Sequence, residues 1–153
     1  MKLDDKDKEI LRLIQKNAKL RAREIAIKLN MPITTVFAKI KRLEKIGIIK
    51  EYKAILDYKK LNKGATVFVL ISYDKSSSVS QRKVAEEISK LPYVQEVHII
   101  TGDWDILVKI RGKDVEEIGK FVLDQIRGIK GVAKTLSSFV FQTVKETTDI
   151  NFE

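Results

Sequence analysis

Three stretches in the first 50 residues place apolar side chains at helical spacing. Positions three and four apart recur in each stretch, which is the pattern of a helix with one buried face. The pattern predicts three short amphipathic helices in the N-terminal third of the chain. Their inward positions are Ile10, Leu11, Leu13 and Ile14 in the first helix, Ile25, Ala26 and Leu29 in the second, and Val36, Ile40, Leu43 and Ile46 in the third.

Polar residues, glycine and proline indicate where these helices begin and end. Aspartate and threonine cap helix N-termini, whereas asparagine and glycine suit the left-handed conformation in which helices often end. Pro32 keeps Met31 out of helical geometry, so the second and third helices are joined by a tight turn. Three helices of which the last two are joined in this way form a helix-turn-helix. The predicted caps are Asp4 or Asp5 for the first helix and Thr34 or Thr35 for the third, and the predicted ends are Asn30 and Gly47.

The rest of the chain alternates between strand-like and helical patterns. Runs of β-branched and aromatic residues predict four strands, and two stretches with apolar residues at helical spacing predict two helices. Their order, βαββαβ, is that of a ferredoxin-like domain, in which two helices cover one face of an antiparallel sheet. We therefore expect an α+β protein. The strands are expected at 65–73, 94–101, 104–111 and 132–145, and the helices at 79–91 and 114–127.

The chain is expected to divide into two domains. Residues 1–55 form the helix-turn-helix domain, which is simple or winged because 48–55 contains two short extended pieces that would form a small wing. Residues 56–64 are polar and end in glycine, which is typical of a linker. Residues 65–153 form the ferredoxin-like domain.

The first predicted strand is apolar on both of its faces. Val67, Val69 and Ile71 lie on one face, and Phe68 and Leu70 lie on the other. An antiparallel sheet with one solvated face would instead alternate apolar and polar residues. One face packs on the two helices, so the other needs a cover, and a second copy of the domain is the simplest one. We expect a homodimer through the sheets. The last strand repeats the pattern, with Phe139 and Phe141 opposite Leu136, Val140 and Val144.

The net charge of +9 is unevenly distributed along the chain. Residues 1–63 hold 18 Lys and Arg against 8 Asp and Glu, whereas residues 64–153 hold 12 against 13. The excess positive charge therefore lies in the N-terminal part, which indicates a polyanionic partner for that part. Nucleic acid, an anionic membrane surface and a merely solvated basic face are the three interpretations.

The predicted third helix distinguishes between these interpretations. Small hydroxyl residues lie at its N-terminal end, which would enter the major groove first, and cations lie along its flank, where phosphates would run. A membrane surface is disfavoured because the apolar side of this helix is needed in the three-helix core. Double-stranded DNA is the expected partner, and a solvated face is the alternative. The predicted DNA-binding residues are Arg21, Arg23, Thr34, Thr35, Lys39, Lys41, Arg42 and Lys45.

Other classes of function are disfavoured by what the sequence lacks. There is no cysteine, which excludes disulfides and thiolate chemistry. The glycine-rich phosphate loops and the short motifs of hydrolases and metalloproteases are also missing, and the single histidine, His98, is interpreted as a structural or surface residue. No apolar run is long enough for a transmembrane helix, and no signal peptide is recognised. We expect a cytoplasmic protein that is not an enzyme, with no catalytic site, metal site, cofactor or membrane anchor.

Motifs in both halves of the chain resemble those of a known family. In the N-terminal half they are Leu3-Asp4-x-x-Asp7-x-x-Ile10-Leu11, Asn17-Ala18-Lys19, Glu24-Ile25-Ala26 and Thr35-Val36-x-x-Lys39-Ile40-x-Arg42-Leu43-Glu44-x-x-Gly47-Ile48-Ile49. In the C-terminal half they are Thr101-Gly102-Asp103-Trp104-Asp105, Gly131-Val132 and Lys145. In this order and spacing the sequence resembles the Lrp/AsnC (leucine-responsive regulator/AsnC) family of transcription regulators over essentially its whole length. Two positions depart from the family pattern: Lys39 stands where Arg is common, and Arg21 stands where a Ser or Thr cap is more usual.

The resemblance implies a helix-turn-helix joined to an effector-binding domain, dimers that assemble into tetramers or octamers, and control of transcription by an amino acid or a related metabolite. The segment 101–105 resembles the family's ligand loop. A turn at Gly102 would present backbone amides to a carboxylate, and Asp103 or Asp105 would bind an ammonium group. The alternative is an ordinary hairpin turn with Asp105 in solvent. The predicted effector-binding residues are Thr101, Gly102, Asp103, Trp104 and Asp105, with Thr135 and Ser137 from the last strand.

Three functions remain open at this point. The first is a sequence-specific transcription regulator that responds to an effector. The second is an architectural DNA-binding protein without an effector. The third is a small-molecule-sensing metabolic protein or enzyme in which the basic segment is secondary.

Overall fold

The computed structural model of this protein describes residues 2–152, which form two units. The first unit holds the chain up to Leu56 together with the segment that starts at Lys145, and the second holds Asp57–Val144. The chain therefore passes between the units twice. The segment after Val144, which the sequence pattern placed in the second domain, groups with the first unit.

The first unit contains the three predicted helices, α1 (Asp5–Lys16), α2 (Ala22–Leu29) and α3 (Ile33–Lys45). Their apolar faces meet in one cluster, and the burial of these side chains is the main stabilising contribution in the unit. The chain leaves α2 through Asn30, which adopts the predicted left-handed conformation with φ of 50°. The buried cluster consists of Ile10, Leu11, Ile14, Ile25, Ala26, Val36 and Leu43.

The N-terminus of α1 is closed by a reciprocal pair of hydrogen bonds. Oδ1 of Asp4 accepts from the Asp7 amide at 2.7 Å, and Oδ2 of Asp7 accepts from the Asp4 amide at 3.0 Å. Two amides that the helix leaves without a partner are satisfied in this capping box. Asp4 is therefore the cap, one of the two residues that the sequence predicted.

The start of α3 differs from the prediction. Pro32, with φ of −60° and ψ of 136°, occupies the N-cap position, and no side chain accepts a hydrogen bond there. Because the ring of Pro32 holds φ at a value compatible with this position, the helix begins at the next residue, Ile33. The prediction that Thr34 or Thr35 caps α3 was therefore wrong, since both lie in its first turn.

The C-terminal segment lies against α1. The side-chain amide of Gln15 donates to the carbonyl of Ile150 at 2.9 Å, and its oxygen accepts from the Ile150 amide at 3.1 Å. Phe152 is half-buried against the apolar cluster of the first unit. These contacts account for the grouping of this segment with the three helices.

The second unit is a four-stranded antiparallel sheet with the strand order β2-β3-β1-β4. The order of elements along the chain is βαββαβ, which confirms the predicted ferredoxin-like arrangement. One face of the sheet packs on α4 and α5 and contains the buried cluster, including Val69, Val108, Val84 and Ile118. The elements are β1 (Ala65–Tyr73), α4 (Gln81–Ser89), β2 (Val94–Ile99), β3 (Ile106–Gly112), α5 (Val115–Phe121) and β4 (Val132–Phe139).

Two elements of the second unit, β4 and α5, end six residues earlier than predicted. The strand β4 stops at Phe139, which pairs with Val67, because β1 begins only two residues before Val67 and offers few further partners. The helix α5 stops at Phe121, and Val122–Ile126 follows as a π-helical turn in which the chain closes wider hydrogen bonds.

The segment between α3 and β1 carries no strand. Residues 46–64 are all described, and none of them belongs to a helix or strand. Tyr52 in this segment donates a hydrogen bond of 2.9 Å to the Glu44 side chain of α3. The two extended pieces predicted at 48–55 therefore do not pair with each other as a β-wing in this chain.

Candidate functional site

The outward stripe of α3 is polar and basic. Thr34, Ala38, Lys41 and Lys45 follow one another at spacings of three and four residues, so they share one side of the helix. All four are exposed, whereas Val36 and Leu43 on the opposite side are fully buried. The stripe therefore begins with a hydroxyl group and ends with two ammonium groups.

Lys39 and Arg42, which the sequence analysis also predicted on this surface, bind a buried carboxylate of the same unit. Asp7 is 1% exposed, and its two oxygens accept hydrogen bonds from Lys39 Nζ at 3.1 Å and from Arg42 Nη2 at 2.5 Å. Lys39 also donates to Asp4 at 2.6 Å. Lys39 and Arg42 are thus both held by the N-terminus of α1, and Lys39 is the less exposed of the two.

This network changes the titration of its members. Burial opposes the ionisation of Asp7, but hydrogen bonds from Arg42, from the Asp4 amide and from Lys39 outweigh it and lower the pKa of Asp7 to about 2. The hydrogen bond to Asp4 raises the pKa of Lys39, and the hydrogen bond to Asp7 raises the pKa of Arg42. All three groups are therefore charged near neutral pH, and the buried carboxylate is compensated by two cations.

The other predicted DNA-binding residues are accessible. Arg21, Arg23 and Thr35 are exposed. Lys41 forms an exposed ion pair of 3.1 Å with Glu44, a kind of contact that stabilises little. Within the described residues 2–152, Lys45 has no ion pair.

Phe37 is a feature of α3 that the sequence analysis did not select. It is 56% exposed, although the preceding residue, Val36, is fully buried. The Nζ of Lys41 lies 5.6 Å from the centre of its ring, within the range of a cation–π contact. The helical pattern held a signal for it, because Phe37 falls outside the buried stripe formed by Val36 and Leu43.

The predicted effector loop lies between β2 and β3. The amide of Ile100 donates to the carbonyl of Asp105 at 2.9 Å, which closes the loop. Thr101, Gly102 and Asp103 are exposed at its tip, and Gly102 has φ of 110°, a conformation that favours glycine. The tip therefore presents backbone and an unburied carboxylate to the outside of this unit.

Asp105 is bound to the end of β1. Its Oδ2 accepts from the Tyr73 amide at 2.7 Å, and its own amide donates to the carbonyl of Ile71 at 3.0 Å. The side chain of Gln81 donates to its carbonyl at 3.3 Å. The alternative that the sequence analysis kept, with Asp105 in solvent, is wrong, since the residue is half-buried and joins the loop to β1 and α4. Trp104 beside it is also half-buried.

Thr135 and Ser137 lie on β4, on the other side of β1 from the loop. Thr135 pairs directly with Ile71, the residue whose carbonyl accepts from Asp105, and Ser137 pairs with Val69. Asp105 and Thr135 are therefore both neighbours of Ile71, on opposite sides of β1. Ser137 lies two residues farther along the strand and is exposed.

The face of the sheet opposite the helices carries an apolar strip. Phe68 and Leu70 on β1, Leu107 on β3 and Leu136 on β4 are cross-strand neighbours on this face. Leu136 is 47% exposed, and the other three are half-buried. This is the second apolar face that the pattern of β1 predicted.

Within residues 2–152, no helix has the length and apolar character needed to cross a membrane.

Models of two known families match consecutive parts of the chain. Residues 3–50 match a winged helix-turn-helix DNA-binding domain. Residues 66–150 match the Lrp/AsnC ligand binding domain. Together they cover both units.

Relatives named as HTH-type transcriptional regulators are similar along nearly their whole length. An uncharacterized HTH-type transcriptional regulator of Pyrococcus furiosus is 48% identical over 144 residues, which are 94% of this chain and 96% of that one. The HTH-type transcriptional regulator FL11 of the same organism is 37% identical over 148 residues, which are 97% of this chain and 95% of that one.

A solved structure shares the fold. It is a transcriptional regulator of Neisseria meningitidis in complex with L-Met, with a TM-score of 0.92 and 29% identity over 98% of this chain and 97% of that one. The helix-turn-helix with its basic outer stripe, the ferredoxin-like second unit and these similarities lead to one conclusion. The chain belongs to the Lrp/AsnC family of helix-turn-helix transcriptional regulators.

Proposed function

We propose that this regulator binds specific sites in duplex DNA by placing α3 in the major groove. The single observation that carries the proposal is the exposed stripe of Thr34, Ala38, Lys41 and Lys45 on the helix that follows the turn. Small and hydroxyl side chains at the N-terminal end allow close approach to base edges, where Thr34 and Thr35 would make contacts. The cations farther along then lie beside the phosphates.

Phosphate contacts are assigned first to the cations without strong partners. Lys45, Arg21 and Arg23 are exposed, and Lys41 is held only by an exposed ion pair. Arg42 retains outward donors because one of its nitrogens binds Asp7 and its side chain is 43% exposed. Lys39 is the weakest candidate, since two carboxylates bind its ammonium group.

The apolar strip of Phe68, Leu70, Leu107 and Leu136 supports a homodimer through the sheets. Exposed apolar surface of this kind usually marks an interface, and an antiparallel sheet needs a cover on such a face. A two-fold dimer would place two copies of α3 on two half-sites of the DNA. Assembly of dimers into tetramers or octamers is proposed from the family resemblance.

The effector is proposed to be an amino acid or a related metabolite that binds at the loop 101–105. The exposed amides around Gly102 suit a carboxylate, and the exposed carboxylate of Asp103 suits an ammonium group. The L-Met complex of the Neisseria protein is consistent with this class of ligand. Thr135 is proposed to contribute because it pairs with Ile71, whose carbonyl accepts from the Asp105 amide, whereas Ser137 pairs two residues farther along β1.

We further propose that the protein acts by binding and not by catalysis, and that it works in the cytoplasm, where a transcription regulator meets its DNA. The family to which it belongs consists of regulators. No step of bond making or breaking is needed for the function described.

The decisive experiment is selection of fragments from the organism's own genome by the full chain, followed by titration of selected and scrambled duplexes of equal length. We expect the selected duplex to bind at least about 1000-fold more tightly at physiological salt, the lower end of the usual range for specific recognition. Equal affinities would contradict a specific regulator and favour an architectural DNA-binding protein.

The ligand and the dimer have separate tests. A thermal-shift screen with the common amino acids should find at least one that stabilises the protein, and Asp103→Asn should abolish that stabilisation. If no amino acid stabilises the protein, the proposal that a common amino acid is the effector is wrong. Leu136→Lys should convert dimers to monomers in light scattering, because it places an ammonium group in the apolar strip. Exposed Leu123→Lys on the π-helical turn is the matched control and should leave the dimer intact.

A further inference from the structure

Phe37 is an exposed aromatic residue on the helix proposed to read DNA. Its side chain is 56% exposed, and the core of the first unit is completed by other residues of α3, among them Val36 and Leu43. A large aromatic side chain on a helix normally gains stability by burial. Phe37 does not use that possibility in this chain, so its ring is free to contact a partner.

The position of Phe37 fits a contact with the major groove. Phe37 lies one turn after Thr34 and one turn before Lys41. The ammonium group of Lys41 is 5.6 Å from the centre of the Phe37 ring. Phe37 directly precedes Ala38, the small residue in the middle of the outward stripe. The ring therefore adjoins the surface that the proposed function places against base edges.

Charge indicates the chemistry of the partner. Exposed cations follow Phe37 along the same side of α3, with Lys41 on the next turn, beside the ring, and Lys45 one turn farther. A purely apolar ligand or protein surface would have no use for the cations beside the ring. A polyanion that carries apolar groups in a groove would contact both the cations and the ring. Duplex DNA has such a group, because the C5 methyl of thymine projects into the major groove.

We propose that Phe37 is a specificity-determining residue that contacts the C5 methyl group of a thymine in each half-site. The inference rests on the proposed function, since it requires α3 to lie in the major groove. It goes beyond that function by assigning one base feature to one side chain. It also explains why an aromatic residue stands exposed beside a basic helix stripe.

The test replaces single thymines of a selected duplex by deoxyuridine, which lacks the methyl group and keeps the same base pairing. We expect one or two positions per half-site at which this replacement weakens binding of the wild-type chain by about 4-fold, the value of one buried methyl-sized group. The same replacement should have no effect on Phe37→Ala. Phe37→Leu, which keeps an apolar side chain, should retain part of the effect, and it serves as the test protein if Phe37→Ala does not fold.

Ile27→Ala provides the matched control, because Ile27 is an apolar residue of α2 that is 73% exposed. This variant should remain as sensitive to deoxyuridine as the wild type. The inference is overturned if Phe37→Ala keeps the wild-type sensitivity at every thymine. It is also overturned if Phe37→Ala changes only the oligomeric state in light scattering, which would assign the ring to a protein contact.

The failure of the proposed function has a different signature. If the wild-type chain binds the selected duplex no better than a scrambled one, specific recognition itself is wrong and the assignment of Phe37 falls with it. If specific binding is intact but thymine and deoxyuridine are equivalent for the wild type at every position, only the assignment of Phe37 is wrong.

Discussion

The carboxylate of Asp7 in α1 accepts a hydrogen bond of 2.5 Å from Nη2 of Arg42 in α3. The same carboxylate accepts from Lys39 and from the amide of Asp4. One buried group therefore closes the N-terminus of α1 and fixes two cations of the proposed recognition helix. The orientation of α3 within its unit depends on this contact as well as on the apolar cluster.

Asp7→Asn should destabilise the first unit by about 2 kcal/mol, because the amide keeps the shape of the side chain but removes the charge that compensates two cations. Arg42 is partly exposed and can regain water, so the loss should be smaller than for a fully buried pair. The measurement is hydrogen exchange of the Ile10 and Leu11 amides, which should exchange roughly 30-fold faster if they open with the unit.

Asp5→Asn is the control for this substitution. Asp5 lies in the same turn of α1, but its side chain is 96% exposed and its contact with Lys8 is long, at 3.6 Å. Exchange of the core amides should change by less than 2-fold, since exposed pairs of this kind contribute little. Equal effects of the two substitutions would mean that the Asp7 network does not stabilise the unit.

The stability of the first unit should fall in acid through Asp7. Its pKa is lowered to about 2 in the folded chain, from an ordinary value near 3.9 in the unfolded chain. A lowered pKa stabilises the fold above the unfolded value, and the contribution is lost as the pH falls from about 4 through 2. Urea unfolding followed by a probe in α1 should show a decline of about 2 kcal/mol over this range. In Asp7→Asn this part of the decline should be missing. A wild-type profile that matches the variant would contradict the role given to Asp7.

Salt dependence separates the cations of α3 by their partners. Lys45 has no ion pair within residues 2–152, so Lys45→Ala should lower the slope of log affinity against log salt by about 0.9, the value of one phosphate contact. Lys39 binds Asp4 and Asp7 instead, so Lys39→Ala should lower the slope by less than half of that. Fluorescence anisotropy titrations between 50 and 300 mM salt, a range of about 6-fold, give both slopes. Equal reductions would indicate that Lys39 leaves its carboxylates when DNA binds.

Much of the fold follows from periodicity in the sequence. The apolar positions of all three helices and the two-sided pattern of β1 predict elements that the structure contains, because burial of these faces stabilises the native arrangement. Helix and strand ends were less predictable. The start of α3 depends on the backbone of Pro32, and the end of β4 depends on where β1 begins, which is a long-range property.

The site was predictable in its charge and not in its contacts. The basic character of α3 is evident from Lys41, Arg42 and Lys45 alone. Asp7 binds Lys39 and Arg42, which are more than 30 residues away along the sequence. No local sequence pattern predicts a contact between residues so far apart in the chain. A partial signal existed, since Asp7 lies three residues before Ile10 and therefore on the apolar side of α1. A carboxylate on that side requires a cation from another element.

The two aspartates of the loop should separate structure from ligand binding. Asp105 accepts from the Tyr73 amide and joins the loop to β1, whereas Asp103 is exposed at the tip. Asp105→Ala should lower the thermal midpoint of the second unit without any ligand, because it leaves the Tyr73 amide without its acceptor, at a cost of about 1–3 kcal/mol. Asp103→Ala should leave that midpoint within about 1 °C, as expected for an exposed side chain, and should remove the stabilisation given by the amino acid found in the screen. Calorimetry of both variants with and without that amino acid measures the four values. If Asp103→Ala keeps the full stabilisation by ligand, the ammonium group binds elsewhere, and if Asp105→Ala leaves the midpoint unchanged, the loop is held to β1 by its backbone alone.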